Sequence, residues 1–177
     1  MRIIIDRDIE LKPLEIFDAQ DIFNIIDNER DYLGEWLPFV QTTKEPADTL
    51  KYVTAVVNAP EECFEWIFAI RKMNRFIGLI GFKDTDRQNK RTEIGYWLSE
   101  QYQKQGIMTK CVERLCTFAF EDLGMNRIQI KCAVNNLPSR RIPERLGFRL
   151  EGIERDGELL ANNIFTDIAV YSKLKKR

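Results

Sequence analysis

The stretch Trp97-Leu98-Ser99-Glu100-Gln101-Tyr102-Gln103-Lys104-Gln105-Gly106-Ile107-Met108 decides how the chain is organised, because a strand pattern ends in it and a helix pattern begins. Behind it, Glu93-Ile94-Gly95-Tyr96-Trp97-Leu98 reads as a strand, with Glu93, Gly95 and Trp97 on one face and Ile94, Tyr96 and Leu98 on the other. Ahead of it, Met108, Cys111, Val112, Leu115, Cys116, Ala119, Phe120 and Leu123 recur at spacings of three and four, while Thr109, Lys110, Glu113, Arg114, Thr117 and Asp122 fall elsewhere. This predicts an amphipathic helix ending near Leu123. Gly106 stands at the handover. The first amides of a helix have no intrahelical acceptor, and together with the helix dipole they suit an anion, typically phosphate. On these residues alone, an ordinary loop that binds nothing is the commoner reading.

With 177 residues, 44% of them hydrophobic, the chain predicts one domain around one buried core. The formal net charge is -1, from 27 basic and 28 acidic residues, which argues against a general polyanion binder and so against direct nucleic-acid contact. Cys63, Cys111, Cys116 and Cys132 show no C-x-x-C spacing and sit in apolar segments, and neither a signal peptide nor a membrane-spanning run is apparent. They read as buried thiols of a cytoplasmic protein. Histidine is absent. That removes Ser-His-Asp and Cys-His pairs and imidazole metal sites, leaving carboxylates, tyrosines, lysines, cysteines and water for proton transfer.

Outward from the central stretch, Ile9 to Leu14 alternates as a half-buried strand, with Pro13 marking an edge or a strand end. Asp18 is placed to cap a helix carrying Ile22, Phe23, Ile25 and Ile26, and Asn28 to Val40 reads as a second, broken helical stretch ending at Pro38. The aromatic run Glu35-Trp36-Leu37-Pro38-Phe39-Val40 reads as core cover or as the apolar wall of an acceptor pocket. A helix follows from Pro46 to Asn58, then a hairpin of strands Phe64 to Ile70 and Phe76 to Phe82 joined at Lys72-Met73-Asn74. Beyond the long helix, Gly124 suits a C-cap, and Arg127 to Val134 is a strand joined to the earlier one by a right-handed parallel crossover. A short helix runs from about Ser139 to Leu146. Pro143 inside it has no N–H, which predicts a kink and a free carbonyl near Ser139. Two strands, Phe148 to Arg155 and Ile164 to Leu174, close the chain around a polar loop through Gly157 and Asn162-Asn163.

These strings, in this order, resemble the GNAT superfamily of acyl-CoA-dependent N-acetyltransferases, and within it the RimJ/RimL-type group that acetylates N-termini of ribosomal proteins. The resemblance rests on Glu93 to Leu98, Gln103 to Met108, Asn136-Leu137-Pro138-Ser139, Pro143-Glu144-Arg145-Leu146-Gly147-Phe148, Glu151-Gly152, Asp167 to Tyr171 and Glu35 to Pro38, and spans nearly the whole chain. It implies an α+β fold over residues 1–177 as a single domain. The expected sheet is mixed and largely antiparallel, of roughly seven strands flanked by helices, with a parallel strand-helix-strand unit at the cofactor site. It implies acetyl-CoA as co-substrate and no metal. Trp97, Leu98, Gln103, Lys104, Gln105, Gly106, Ile107, Met108 and Thr109 would hold the coenzyme, with Asn136, Ser139 and Arg140 at the second helix start. Met108 departs from the small residue usual there. Lys104, Arg140 and Arg141 either add charge near the phosphates or are solvated cations.

An amine attacking a thioester needs a base for the ammonium, donors for the oxyanion and an acid for the thiolate. A protein N-terminal amine, of pKa about 7.7 to 8.0 against about 10.4 for lysine, needs less help to lose its proton. In many superfamily members a tyrosine four residues before the Gly-Phe pair is the acid, and that position here is Pro143. RimL-like members imply Ser139 as acid and Glu158 as base, with Glu93 the rival base and a backbone amide near Leu98 as oxyanion donor. Tyr171 is the weaker candidate, expected to pack or hydrogen-bond. The alternative readings are transfer to a small-molecule amine, and a catalytically silent acyl-CoA-binding module. A homodimer is admissible. Neither G-x-x-x-x-G-K-[ST] nor G-x-G-x-x-G occurs, which disfavours a nucleotide-binding fold.

Overall fold

The structure is a computed structural model that describes residues 1–60 and 66–176. Cys63 and Phe64, expected in a buried strand, lie outside the described residues. The first part contains β1 (Ile3–Ile4), β2 (Ile9–Pro13), α1 (Asp18–Asn28), α2 (Arg30–Gly34), α3 (Phe39–Thr42) and α4 (Pro46–Val57). It continues through β3 (Ile67–Lys72), β4 (Arg75–Asp86), β5 (Arg91–Leu98), α5 (Ile107–Glu121) and β6 (Arg127–Ala133), and ends with α6 (Leu137–Arg145), β7 (Arg149–Leu160) and β8 (Ile164–Leu174).

One eight-stranded sheet carries the order β1-β2-β3-β4-β5-β6-β8-β7, in which only β5 and β6 are parallel. The strand beyond the expected seven is β1, whose two residues are too few to leave a sequence period. Met73 and Asn74 both take positive φ, 48° and 66°, the backbone of a two-residue turn whose twist matches the β3–β4 hairpin. Alternation along β5 divides the two layers. Ile94 and Leu98 join Leu115, Ile128 and Tyr171 in the larger core under α5, while Trp97 joins Ile22, Ile26, Val53 and Leu79 under α1 and α4.

Helix α5 buries the expected apolar positions from Met108 to Phe120, and it also buries Phe118, which edges onto Phe68 and Trp66; Leu123, two residues past its end, is half-buried. Gly124 closes it with φ +65°.

Three local expectations are corrected. Asp18 is the first residue of α1 rather than its cap. Its buried carboxylate takes the Glu15 amide at 2.8 Å and pairs with Arg71, because a carboxylate facing a guanidinium under the sheet has a stronger partner than the helix end. Pro38 precedes α3 instead of ending a helix, as a residue needing no N–H partner can. The polar segment around Gly157 is part of β7, paired to β8 through Glu158 and Thr166, and only Ala161–Asn163 forms the connection. An edge strand exposed along nearly all its length has no apolar alternation to announce it.

Candidate active site

Strands β5 and β6 pair only at Arg91, Thr92 and Glu93, opposite Arg127, Ile128 and Gln129, although β5 runs on to Leu98 and β6 to Ala133. The two therefore part in the middle of the sheet. Ser99 N–H bonds back to the Ile77 carbonyl on β4 at 2.9 Å. Successive amides of a strand point to opposite sides, so the Leu98 and Tyr96 N–H groups face the gap that β6 has left.

The gap leads to the opening loop. Gly106 is the N-cap of α5 at φ +73°, and no side chain caps it. The first intrahelical bond of α5 runs from Lys110 N–H to the Gly106 carbonyl at 3.2 Å, which leaves the amides of Ile107, Met108 and Thr109 ahead of it as donors along the helix axis. A Cβ at Gly106 would meet nothing within 4 Å, so nothing packs against the side-chain position of the N-cap residue itself. The side chains of Ile107 and Met108 are buried in the core, so the departure at Met108 leaves the backbone free for an anion. The loop is held from behind. Glu29, between α1 and α2, accepts from Ser99 Oγ at 2.6 Å and Glu100 N–H at 2.9 Å, and Gln105 bridges the Gln101 carbonyl and Lys72 Nζ.

At the second helix start, Asn136 Oδ1 caps α6 by accepting from Ser139 N–H at 3.2 Å. Pro143 is buried inside α6 and gives Ser139 no i→i−4 partner, and the freed carbonyl takes the Tyr96 hydroxyl at 3.2 Å. Ser139 Oγ lies 3.4 Å from the same hydroxyl. Burial pushes the Tyr96 phenol far above its ordinary pKa, so it stays a neutral donor. Arg140 is engaged by the Val134 carbonyl and Tyr171 Oη, both at 3.0 Å, and so fastens α6 to β8. Tyr171 is 2% exposed and donates to Glu144, a packing and bonding role as expected of it.

A cavity of about 830 Å³ opens on the face of the sheet that carries Glu93, Gly95 and Trp97. Trp36, Leu37, Pro38 and Phe39 form one wall, so the aromatic run is a pocket wall. Ser139 and Cys132 line it, and Glu93, Lys83, Lys131, Glu154 and Glu158 bring charge to it. All three catalytic candidates border one space. Glu93 is 5% exposed, with Lys83 Nζ 2.9 Å from one oxygen and Gln129 Nε2 3.2 Å from the other. Glu158 is more open. Desolvation in the cavity raises its pKa, the Lys83 charge opposes that, and Glu93 adds to it. Burial likewise pushes the Cys132 thiol up, to about 11.

Lys83, Lys131 and Tyr96 were not singled out in the sequence. Lys83 meets Glu93 only through the β4–β5 register, a pairing that no local spacing displays. Among the described residues, no three His, Cys, Asp or Glu side chains gather as a metal site, and no helix is long and apolar enough to cross a membrane.

Residues 8–149 match the family model for the acetyltransferase (GNAT) domain. The chain is 33% identical to the putative ribosomal N-acetyltransferase YdaF of Bacillus subtilis, over 97% of this chain and 94% of that protein. It is 30% identical to the ribosomal-protein-serine acetyltransferase of Escherichia coli, covering 96% and 94% respectively. The solved structure of RimL, a ribosomal L7/L12 alpha-N-protein acetyltransferase, in complex with coenzyme A superposes with a TM-score of 0.93 at 26% identity over 98% of both chains, and in it the coenzyme is disulfide-bonded to a cysteine.

Proposed function

The chain belongs to the GNAT acetyltransferase family, and from that premise we propose that it moves an acetyl group from acetyl-CoA to the N-terminal amine of a ribosomal protein. The observation that carries this reading is the parting of β5 and β6, with the unpaired amides of α5 following on from the end of β5 and a cavity bordered by Trp97, Ser139, Glu93 and Glu158 on the face of the sheet. The pyrophosphate would sit on the amides around Gly106 to Thr109, flanked by Gln103, Lys104 and Gln105. The thioester arm would run through the gap past Trp97 and Leu98 towards Asn136 and Ser139. Cys132 is the described cysteine that lines the cavity, which fits a coenzyme sulfur arriving at that end. Residues 1–177 act as one domain in the cytoplasm in this proposal, and the uncovered β7 edge, with Leu150, Ile153 and Leu159 exposed, is the surface on which a homodimer would form.

In the reaction, Glu158 takes a proton from the acceptor ammonium, and the neutral amine attacks the thioester carbonyl. The Leu98 amide, aimed into the gap, stabilises the oxyanion. The C–S bond then breaks, the thiolate takes the proton of Ser139 Oγ–H, and the second proton of the attacking nitrogen restores that hydroxyl, so that one proton in all stays on Glu158. The raised pKa of Glu158 suits a base, since a carboxylate nearer neutrality holds a proton more readily.

Free-thiol release from acetyl-CoA, measured against N-terminal peptides of ribosomal proteins and a panel of small amines, tests the assignment. Turnover on the peptides with weak or no turnover on small amines supports it. The reverse preference moves the acceptor to small molecules, and coenzyme binding without turnover on any acceptor points to a silent acyl-CoA-binding module.

A further inference from the structure

We infer that Lys83 is a positioning residue that divides the labour between the two carboxylates of the cavity, holding Glu93 in an ion pair and leaving Glu158 as the group that exchanges the proton. The inference rests on Glu158 being the base. Lys83 stands directly opposite Glu93 in the β4–β5 register, and its stem lies along Gly95, where an added Cβ would come 3.5 Å from Lys83 Cε.

The ammonium reaches Glu93 Oε1 at 2.9 Å while Gln129 occupies the other oxygen, so both oxygens of Glu93 already hold donors and the side chain is only 6% exposed. A carboxylate engaged in this way has less room for an acceptor ammonium. Glu158 borders the same cavity from β7. Lys83 remains a cation there: burial works against its charge, but the hydrogen bond and charge of Glu93, and then Asp84 and Glu158, outweigh it.

The other charged groups facing the cluster come from four elements. On β6 and β7, Lys131 and Glu154 satisfy each other at 2.9 Å. On β4, Asp84 borders the cavity beside Lys83. On α4, Asp48 is held by the amides of Lys44 and Glu45. Lys83 is therefore the cation that sets Glu158 apart from Glu93. Without it, Glu158 would face the Glu93 charge with no cation to offset it.

The test follows the carboxyl carbons of 13C-labelled glutamate by NMR in the intact protein as pH is varied, assigning Glu158 by the signal lost in Glu158→Gln. Lys83→Met is expected to raise the Glu158 midpoint by about one pH unit, the scale of losing one nearby opposite charge. Lys83→Arg is expected to leave it within a few tenths, and Lys83→Gln repeats the first result if Met disturbs packing. The acid limb of the kcat–pH profile should move with the midpoint. An unchanged Glu158 midpoint in both neutral variants overturns the role of Lys83. A Glu158→Gln enzyme that retains turnover and the acid limb overturns the base assignment instead, whatever the NMR midpoint does.

Discussion

Tyr96 Oη donates to the main-chain carbonyl of Ser139 over 3.2 Å, across from a strand to a helix that share no sequence neighbourhood. The carbonyl is available because Pro143, four residues on, has no N–H to offer. The proline stands inside α6, and a tyrosine from β5 takes up the bond it leaves. Tyr96→Phe should therefore strand a partly buried carbonyl and cost about 1–3 kcal/mol in denaturant unfolding. It should also lower kcat more than it changes the coenzyme Kd, because Ser139 loses its neighbour while the α5 amides are untouched.

Glu158→Gln should cost at least about 100-fold in kcat, the low end for removing a general base. Its stability should move the other way. The folded pKa of Glu158 lies above its ordinary 4.5, so the folded state binds more protons than the unfolded state between those two values, and stability falls as pH rises through that window. The neutral glutamine escapes this cost. Thermal melts should show Glu158→Gln more stable than the parent at pH 7.5 and equal to it below the unfolded value, and a variant equally stable at both pH values contradicts this account.

Gly106→Val should weaken coenzyme binding about tenfold, since a φ of +73° costs a branched L-residue about 1–2 kcal/mol that the loop recovers only by moving its amides. Gly106→Asn, which tolerates that φ, should lose less. Isothermal titration with coenzyme A measures both, and equal affinities for parent and valine variant would remove the loop from the binding site.

Arg127 and Ser172 both bond the Glu151 carboxylate, each at 2.7 Å to one of its oxygens, and the Arg127 hydrogen bond first, then Ser172, draw its pKa down to about 2. A depressed folded pKa adds stability above the unfolded value of 4.5, and that contribution fades as pH falls towards about 2. The pair is partly solvated, so Glu151→Gln should cost less than about 1 kcal/mol at pH 7. The difference should vanish near pH 2, and denaturant titrations across that range would reveal a persistent gap if the bond pattern were otherwise.

Much of the fold was legible because local chemistry wrote it. Gly106, Gly124 and Gly147 all take positive φ where the pattern ended or began a helix. The three-and-four spacing from Met108 to Phe120 became the buried face of α5, and the free Ser139 carbonyl followed from Pro143 alone. Glu158 was read into a polar loop because β7 is an edge strand held by main-chain pairing to β8, and main-chain pairing leaves no side-chain period. Arg140 was weighed only as a phosphate partner or a solvated cation, but the fold brings the Val134 carbonyl and Tyr171 within its reach.

The sequence by itself determined the order of elements, the glycine-opened helix start with its unpaired amides, and the absence of imidazole from any chemistry. These depend on backbone geometry and on residue type within a few positions of each other. Tertiary structure decided which side chains share the cavity: Lys83 beside Glu93 across two strands, Glu158 from the far edge, and Tyr96 against Ser139. Those meetings are set by strand register and by the parting of β5 from β6, and register is fixed by the packing of whole layers rather than by any one stretch of chain.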